Sequence, residues 1–136
     1  MMTDESNILI VQINGPNLVT GELAVVTPTS VRVMKSAMLC RCGHSRDKPF
    51  CDGAHVKSGF SDPAQLPAKL ESVAIGTGPL TIRPTTNGPN RCEGPLMIRG
   101  SDGRSASSGL TFLCRCGESR TKPYCDGTHK KIGFQG

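Results

Sequence analysis

The apolar positions of this chain occur in short runs rich in β-branched residues, which is typical of β-strands. Asn-Gly, Gly-Pro and Asp-Gly pairs separate the runs and predict turns between them. No segment shows a sustained helical period. The six runs are Ile8–Ile13, Glu22–Thr27, Val31–Val33, Leu80–Arg83, Leu96–Ile98 and Thr111–Leu113. The pattern therefore predicts a small, mainly β protein with antiparallel sheets.

A sixteen-residue motif occurs twice, and it determines how the chain is organised. Cys40–His55 reads CRCGHSRDKPFCDGAH and Cys114–His129 reads CRCGESRTKPYCDGTH, with 12 of 16 positions identical at an offset of 74 residues. Upstream, Asn14–Asn17 matches Asn87–Asn90 at an offset of 73. The second copy therefore has one extra residue before its motif, which we place in the Ser101–Ser108 loop.

The repeat predicts two units, residues 1–60 and 79–136, joined by a connector at 61–78. Each unit has a β-rich leader followed by an irregular ligand loop. A short helix is expected after the third cysteine of each loop, with Asp52 or Asp126 capping its N-terminus. Two similar units in one chain can imitate the two-fold contact between subunits. We therefore expect a monomer whose units pack as an intrachain pseudo-dimer.

The composition indicates that a core of this size needs a further source of stability. Gly and Pro together supply 26 of the 136 residues and aromatic residues only 4%, so little apolar surface is available for burial. Seven cysteines could supply the missing stability. We find no secretory signal and no apolar run long enough for a membrane span. The expected location is the cytoplasm, with an organelle matrix as the alternative, and clustered cysteines there more often bind metal than form disulfides.

Each motif presents three thiols and one imidazole in the pattern Cys-x-Cys-x8-Cys-x3-His. The first set is Cys40, Cys42, Cys51 and His55, and the second is Cys114, Cys116, Cys125 and His129. Such a donor set suits zinc or an iron–sulfur cluster rather than calcium or magnesium. The spacing alone leaves zinc and iron–sulfur both open, although Cys-x-Cys is tighter than the usual zinc knuckle.

Both copies also carry the longer pattern Cys-x-Cys-x2-Ser-x3-Pro-x-Cys-Asp-Gly-x-His, which includes Ser45 and Ser119 and Pro49 and Pro123. The pattern resembles the CDGSH iron–sulfur domain of the mitoNEET-like family, in its tandem branch without a membrane anchor. The resemblance implies two 2Fe-2S clusters, one in each motif. It implies the following iron ligands: Cys40 and Cys42, then Cys51 and His55, in the first site; Cys114 and Cys116, then Cys125 and His129, in the second.

The histidine ligand suggests what such a protein would do. Replacing a thiolate by neutral imidazole raises the reduction potential of a cluster. Imidazole can also take up a proton and then leave the metal, so the histidine is a release point. We expect one-electron transfer, or storage and transfer of iron–sulfur clusters, and not an enzyme. The alternatives are a redox or nitrosative sensor acting through protein contacts and a structural zinc-binding module.

The net charge of +5 limits the class of partner. The basic residues in and beside the two motifs are Arg41, Arg46, Lys48, Lys57, Arg115, Arg120, Lys122, Lys130 and Lys131. They are expected to offset the negative charge of a cluster or to bind an acidic redox or cluster-acceptor protein. No nucleic-acid motif is present, so nucleic acid is not the expected partner.

Cys92 lies outside both ligand sets. It aligns with Val19 of the first copy, which predicts a small buried thiol in the core rather than a ligand.

Overall fold

The structure is a computed structural model that describes residues 7–27, 29–43, 50–53, 56, 59–66, 78–85, 88–114, 117, 122–124 and 127–133, with residues 129 and 131 described by their backbone alone. The described residues form six strands and one short helix: β1 Ile8–Val11, β2 Asn17–Val26, β3 Val31–Leu39, β4 Leu80–Pro84, β5 Asn90–Arg99, β6 Ser105–Leu113 and α1 Thr128–Lys131. The mainly β prediction is confirmed, but the described strands form one six-stranded sheet with two parallel pairings instead of separate antiparallel sheets. Strands β2, β3, β5 and β6 extend well beyond the apolar runs, because hairpin pairing also orders small and polar residues.

Two long antiparallel hairpins, β2–β3 and β5–β6, make up most of the sheet. Along its other edge β2 pairs first with β1, antiparallel, and then with β4, parallel. Strand β5 pairs in the same way, antiparallel with β4 and parallel with β1. Each short strand therefore joins the hairpins of both repeats. This exchange around an approximate two-fold confirms the expected intrachain pseudo-dimer.

A β-bulge marks the point where each long strand changes partner. The register shifts between Thr20 and Leu23 in β2 and at the corresponding place in β5. Gly21 has a φ of 138°, and a Cβ there would lie 2.1 Å from the Asn7 Oδ1 atom. Gly94 has a φ of 131°, and a Cβ there would lie 2.4 Å from the Pro79 carbonyl oxygen. Only glycine fits these bulges.

Asn7 breaks the symmetry of the fold. Its position corresponds to Leu80 in the second repeat, and both residues are fully buried. The Asn7 Nδ2 atom donates to the carbonyl oxygens of Gly78 at 2.9 Å and Pro95 at 2.7 Å. Its Oδ1 atom accepts a bond of 2.9 Å from the Glu22 amide. One side chain thus joins both bulges to the chain just before β4.

The core lies between the two repeats and is built from aliphatic side chains of all six strands. Its largest members are Leu9, Val11, Val19, Leu23, Val25, Leu39, Leu80, Ile82, Leu96, Ile98 and Leu113. Cys92 is 1% exposed, and burial raises the pKa of its thiol to about 12. It pairs with Ile82 as Val19 pairs with Leu9, so the prediction of a buried core thiol is confirmed.

The extra residue of the second copy lies in the hairpin turn, as predicted. Residues 27–30 connect β2 to β3, whereas residues 100–104 connect β5 to β6. Helix α1 follows Gly127, which occupies the N-cap position with a φ of 89°. Asp126, the expected capping residue, lies outside the described residues, as does most of the segment in which the helix of the first repeat is expected.

Candidate metal centre

Strand β3 leads directly into the first motif and brings its third cysteine alongside. Leu39 ends the strand, is fully buried and forms a β-bridge with Phe50. The next residue, Cys51, donates its amide to the Met38 carbonyl oxygen at 2.8 Å. Residues 50 and 51 therefore return to the strand from which Cys40 emerges.

The second motif is built in the same way on β6. Leu113 forms a β-bridge with Tyr124, and the Cys114 amide donates to the Pro123 carbonyl oxygen at 2.8 Å. Phe50 and Tyr124 pack against the apolar core, and burial raises the pKa of the Tyr124 phenol. One aromatic residue of each motif thus joins its ligand loop to the core.

The sulfur atoms of the first two cysteines of the first motif lie at the separation expected of two ligands of one metal ion. Cys40 is 4% exposed and Cys42 is 6% exposed, with their Sγ atoms 3.7 Å apart. That distance is far longer than the roughly 2.05 Å of a disulfide. Two thiolates at about 2.3 Å from a tetrahedral ion lie about 3.8 Å apart. The pair therefore fits two ligands of a single ion.

Cys51 lies closer to solvent than this pair. It is partly exposed, and its Sγ atom accepts a 3.4 Å contact from the Gly53 amide. A hydrogen bond to a ligand sulfur stabilises the thiolate form and tunes a bound metal. Gly53 has a φ of 89°, which directs its amide back toward the sulfur.

The remaining predicted ligands are placed only in part. Cys114 is buried at 3% exposure, directly after β6. His129 lies in α1, where only its backbone is described, while His55, Cys116 and Cys125 fall outside the described residues. Within the described part of the chain, no three Cys, His, Asp or Glu side chains converge. The two complete ligand sets stay a prediction.

Arg41, between the first two cysteines, is not the surface charge that the sequence led us to expect. It is 1% exposed. Its Nε atom donates to the Gly15 carbonyl oxygen at 2.8 Å, and its Nη2 atom donates to the Gln12 carbonyl oxygen at 2.7 Å. Its Nη1 atom lies 2.8 Å from the Asp62 Oδ2 atom, and Phe60 packs on the guanidinium at 5.0 Å. Arg41 therefore fastens the ligand loop internally and does not present its charge to a partner.

Asp62 is a site residue that the sequence analysis did not single out, because it lies in the expected connector. Two buried amides were missed as well. Asn17 and Asn90 occupy matching positions opposite Leu39 and Leu113, the last residues before the cysteines. Both are 0% exposed, and in the described part of the chain their side chains make no hydrogen bond. Their repetition in both copies of the Asn-Gly-Pro-Asn pattern was the available signal.

The two ligand loops lie against each other. Gly117, in the second loop, packs on the main chain at Arg41 and Cys42 of the first. The candidate centres thus share a contact, although each ligand set belongs to its own loop.

Residues 14–56 and 87–130 each match the family described as iron-binding zinc finger, CDGSH type. The two matches cover more than half of the chain, and each contains one complete ligand set. No curated protein matches the sequence. In the described part of the chain, no helix is long and apolar enough to cross a membrane.

Proposed function

The chain belongs to the family of iron-binding zinc fingers of CDGSH type, and from this premise we propose that it holds two 2Fe-2S clusters. Family membership supports iron–sulfur binding. The second family match, with its own three cysteines and one histidine, supports a second site. The observation that carries the proposal is the 3.7 Å separation of the Cys40 and Cys42 sulfurs in a buried loop, which suits two ligands on one ion.

We assign the ligands in pairs. Cys40 and Cys42 would hold the inner iron of the first cluster, with Cys51 and His55 on the outer iron. The second cluster would use Cys114 and Cys116, then Cys125 and His129. The partial exposure of Cys51, against the burial of the first pair, supports the assignment of the Cys51 side as outer. When bound, each cluster supplies a one-electron redox centre.

The histidines give the outer side of each site its proposed chemistry. A neutral imidazole on the metal carries less negative charge than a thiolate and makes the site easier to reduce. Its second nitrogen can bind a proton, so electron and proton uptake can be linked. Protonation of the ligating nitrogen instead detaches the residue. His55 and His129 are therefore the proposed points of proton uptake and of release.

These properties suit a protein that carries single electrons, or that stores clusters and transfers them to an acceptor. The acceptor would be a redox or cluster-acceptor protein. Exposed arginines at positions 32 and 83 add to the positive net charge, and a basic surface attracts an acidic partner. The buried Arg41 takes no part in that attraction.

The experiment that tests the proposal is metal and sulfide analysis of the purified protein together with its visible spectrum. We expect a red-brown protein with four irons and four acid-labile sulfides per chain. A colourless protein that contains zinc would overturn it, and a fully loaded protein with two irons would reduce the proposal to one site. Reversible reduction without loss of iron would favour electron transfer, whereas loading of an apo-ferredoxin would favour cluster delivery.

A further inference from the structure

Strand β3 has β2 on one side, and along its other side the described part of the chain meets it only at its carboxyl end. There Phe50 forms a β-bridge with Leu39, and the Cys51 amide donates to the Met38 carbonyl oxygen at 2.8 Å. Among the described residues, no strand pairs with this side of residues 31–36. We call the outer side of residues 31–36 the β3 edge.

Two residues near the hairpin turn point their main-chain groups toward the β3 edge. The Thr27 amide donates to the Ser30 carbonyl oxygen across the turn at 2.9 Å, so the main-chain groups of Ser30 face β2. These groups alternate between the two sides of a strand. Those of Arg32 therefore also face β2, whereas those of Val31 and Val33 face outward. The β3 edge thus presents main-chain donors and acceptors to which a further strand can add.

A third position of the β3 edge is open in the first repeat and closed in the second. The Met38 carbonyl oxygen points outward, so the main-chain groups of Ser36, two residues earlier, do so too. The aligned residue of β6 is Leu110. The Ser108 hydroxyl accepts the Leu110 amide at 3.2 Å and donates to the Leu110 carbonyl oxygen at 2.8 Å. In β3, Met34 occupies the position of Ser108 and packs against the core, and a thioether donates no hydrogen bond.

The side chains of the β3 edge are apolar and basic. Val31 is 65% exposed and Val33 is 83% exposed, and they share one face because side chains two residues apart point the same way. Arg32, which lies over the Phe50 ring at 4.9 Å, and Lys35 are both exposed. Neither forms an ion pair within the described residues, and β3 contains no acidic residue. The matched positions of β6 carry no charge and no large apolar side chain: Ser105, Ala106, Ser107 and Gly109.

We propose that the β3 edge binds an extended acidic segment of a partner protein, which adds to the sheet as a further strand. Main-chain bonds to Val31, Val33 and Ser36 hold the segment, and the two valines pack against its apolar side chains. Its carboxylates pair with Arg32 and Lys35. A second copy of this chain is a poor occupant, because two β3 edges would bring like charges together. The inference goes beyond the proposed function, since docking at the β3 edge involves no cluster chemistry.

The test uses the full-length, loaded protein and a fluorescein-labelled peptide of about ten residues in which valine and glutamate alternate, long enough to span the β3 edge. We expect saturable binding by fluorescence polarisation, weakened by salt because salt screens the carboxylates. The control peptide has lysine in place of glutamate and should not bind.

Residue-resolved hydrogen exchange locates the bound peptide. In the free protein the outward amides of Val31 and Val33 should exchange quickly, whereas the amide of Arg32, which faces β2, should exchange slowly. The glutamate peptide should slow the exchange of Val31, Val33 and Ser36 several-fold and leave the amides of β6 unchanged.

Two variants separate the main-chain bonds from the charges. Val33→Pro removes an outward amide but none of the bonds to β2, so binding should weaken about tenfold or more. Thermal unfolding shows whether that variant keeps the fold. Lys35→Gln leaves the main chain unaltered and should weaken binding about threefold. Its matched control is Arg83→Gln, which removes one exposed positive charge from β4 and should leave binding unchanged.

Four results would overturn the inference: no saturable binding to the unaltered protein, equal binding of the lysine peptide, protection on β6 instead of β3, or unchanged binding in a folded Val33→Pro or in Lys35→Gln. Failure of the proposed function would appear separately, in the iron and sulfide analysis of the same starting protein. The two failures are therefore distinguishable.

Discussion

Gly117 lies directly against Cys42: a Cβ placed on Gly117 would be 2.6 Å from the Cys42 carbonyl oxygen and 3.2 Å from that of Arg41. Gly117 also has a φ of +85°, so no other residue satisfies both the backbone conformation and the space. The second ligand loop therefore supports the main chain that carries the first. A substitution in one motif can therefore alter the geometry of the candidate metal centre in the other.

Gly117→Ala is expected to lower iron content and speed iron loss at the first site, although residue 117 belongs to the second motif. The new methyl group must displace the main chain at Cys42, because neither neighbour is a flexible side-chain end. Iron per chain and peptide-resolved cysteine alkylation measure the effect. The control is Gly103→Ala, which has a φ of +84° with nothing within 4 Å in the described structure. If both variants keep the same iron at the first site, the contact between the loops is unimportant.

The buried asparagines provide a matched pair of substitutions with opposite outcomes. Asn17→Leu should stabilise the loaded protein, because the amide has no hydrogen-bond partner in the described part of the chain and an unsatisfied buried polar group costs about 1–3 kcal/mol. Leucine has nearly the same shape. A rise in the melting temperature of the loaded protein is the expected result. A fall would show that the Asn17 amide serves a cluster or a bound water.

Asn7→Leu should instead destabilise the protein, although the residue type and the burial are the same. Its amide makes three hydrogen bonds, and its removal leaves two carbonyl oxygens and one amide without their partner. The corresponding residue of the second repeat is Leu80, so leucine is sterically tolerated at the equivalent position. A melting temperature equal to that of the unaltered protein would mean that the three hydrogen bonds of the Asn7 side chain do not stabilise the fold.

Acid should release iron through His55 and His129. Only neutral imidazole binds the metal, so protonation competes with binding below about pH 6.5, the ordinary range of a histidine. His55→Cys and His129→Cys should each lower the potential of the altered site and slow its decay at pH 5.5. Decay of visible absorption and redox titration measure both effects. If the visible absorption of both single variants decays in every phase as fast as that of the unaltered protein, these histidines are not the release points.

Removal of the clusters should loosen the whole chain, because the core is small and the ligand loops are built onto its edge. The free energy of metal binding is then part of the free energy of folding. Hydrogen exchange before and after chelation should show protection lost first near Cys40 and Cys114 and then in β3 and β6. An apo protein that unfolds as cooperatively and at the same temperature as the loaded one would contradict this coupling.

The sequence by itself determined the features that rest on local patterns. The β-branched runs located all six strands, and the offset between the copies located the extra residue in the β5–β6 turn. The buried Cys92 followed from comparing one copy with the other; the same comparison defined the two ligand sets, which stay a prediction. The strands, the turn and the buried thiol could be predicted because strand period, turn residues and repeated motifs are visible within a few neighbouring positions.

Only the tertiary structure decided the contacts between residues far apart in the chain. Asp62 looked like part of a connector until Arg41 was found against it, and Arg41 itself looked like a surface charge. No sequence pattern indicated a role for Asn7, yet its side chain forms hydrogen bonds to both bulges. Gly117 belongs to the second motif, although it packs on the main chain of the first. Such roles depend on which strands exchange partners across the pseudo-two-fold, and nothing in the local sequence encodes that geometry.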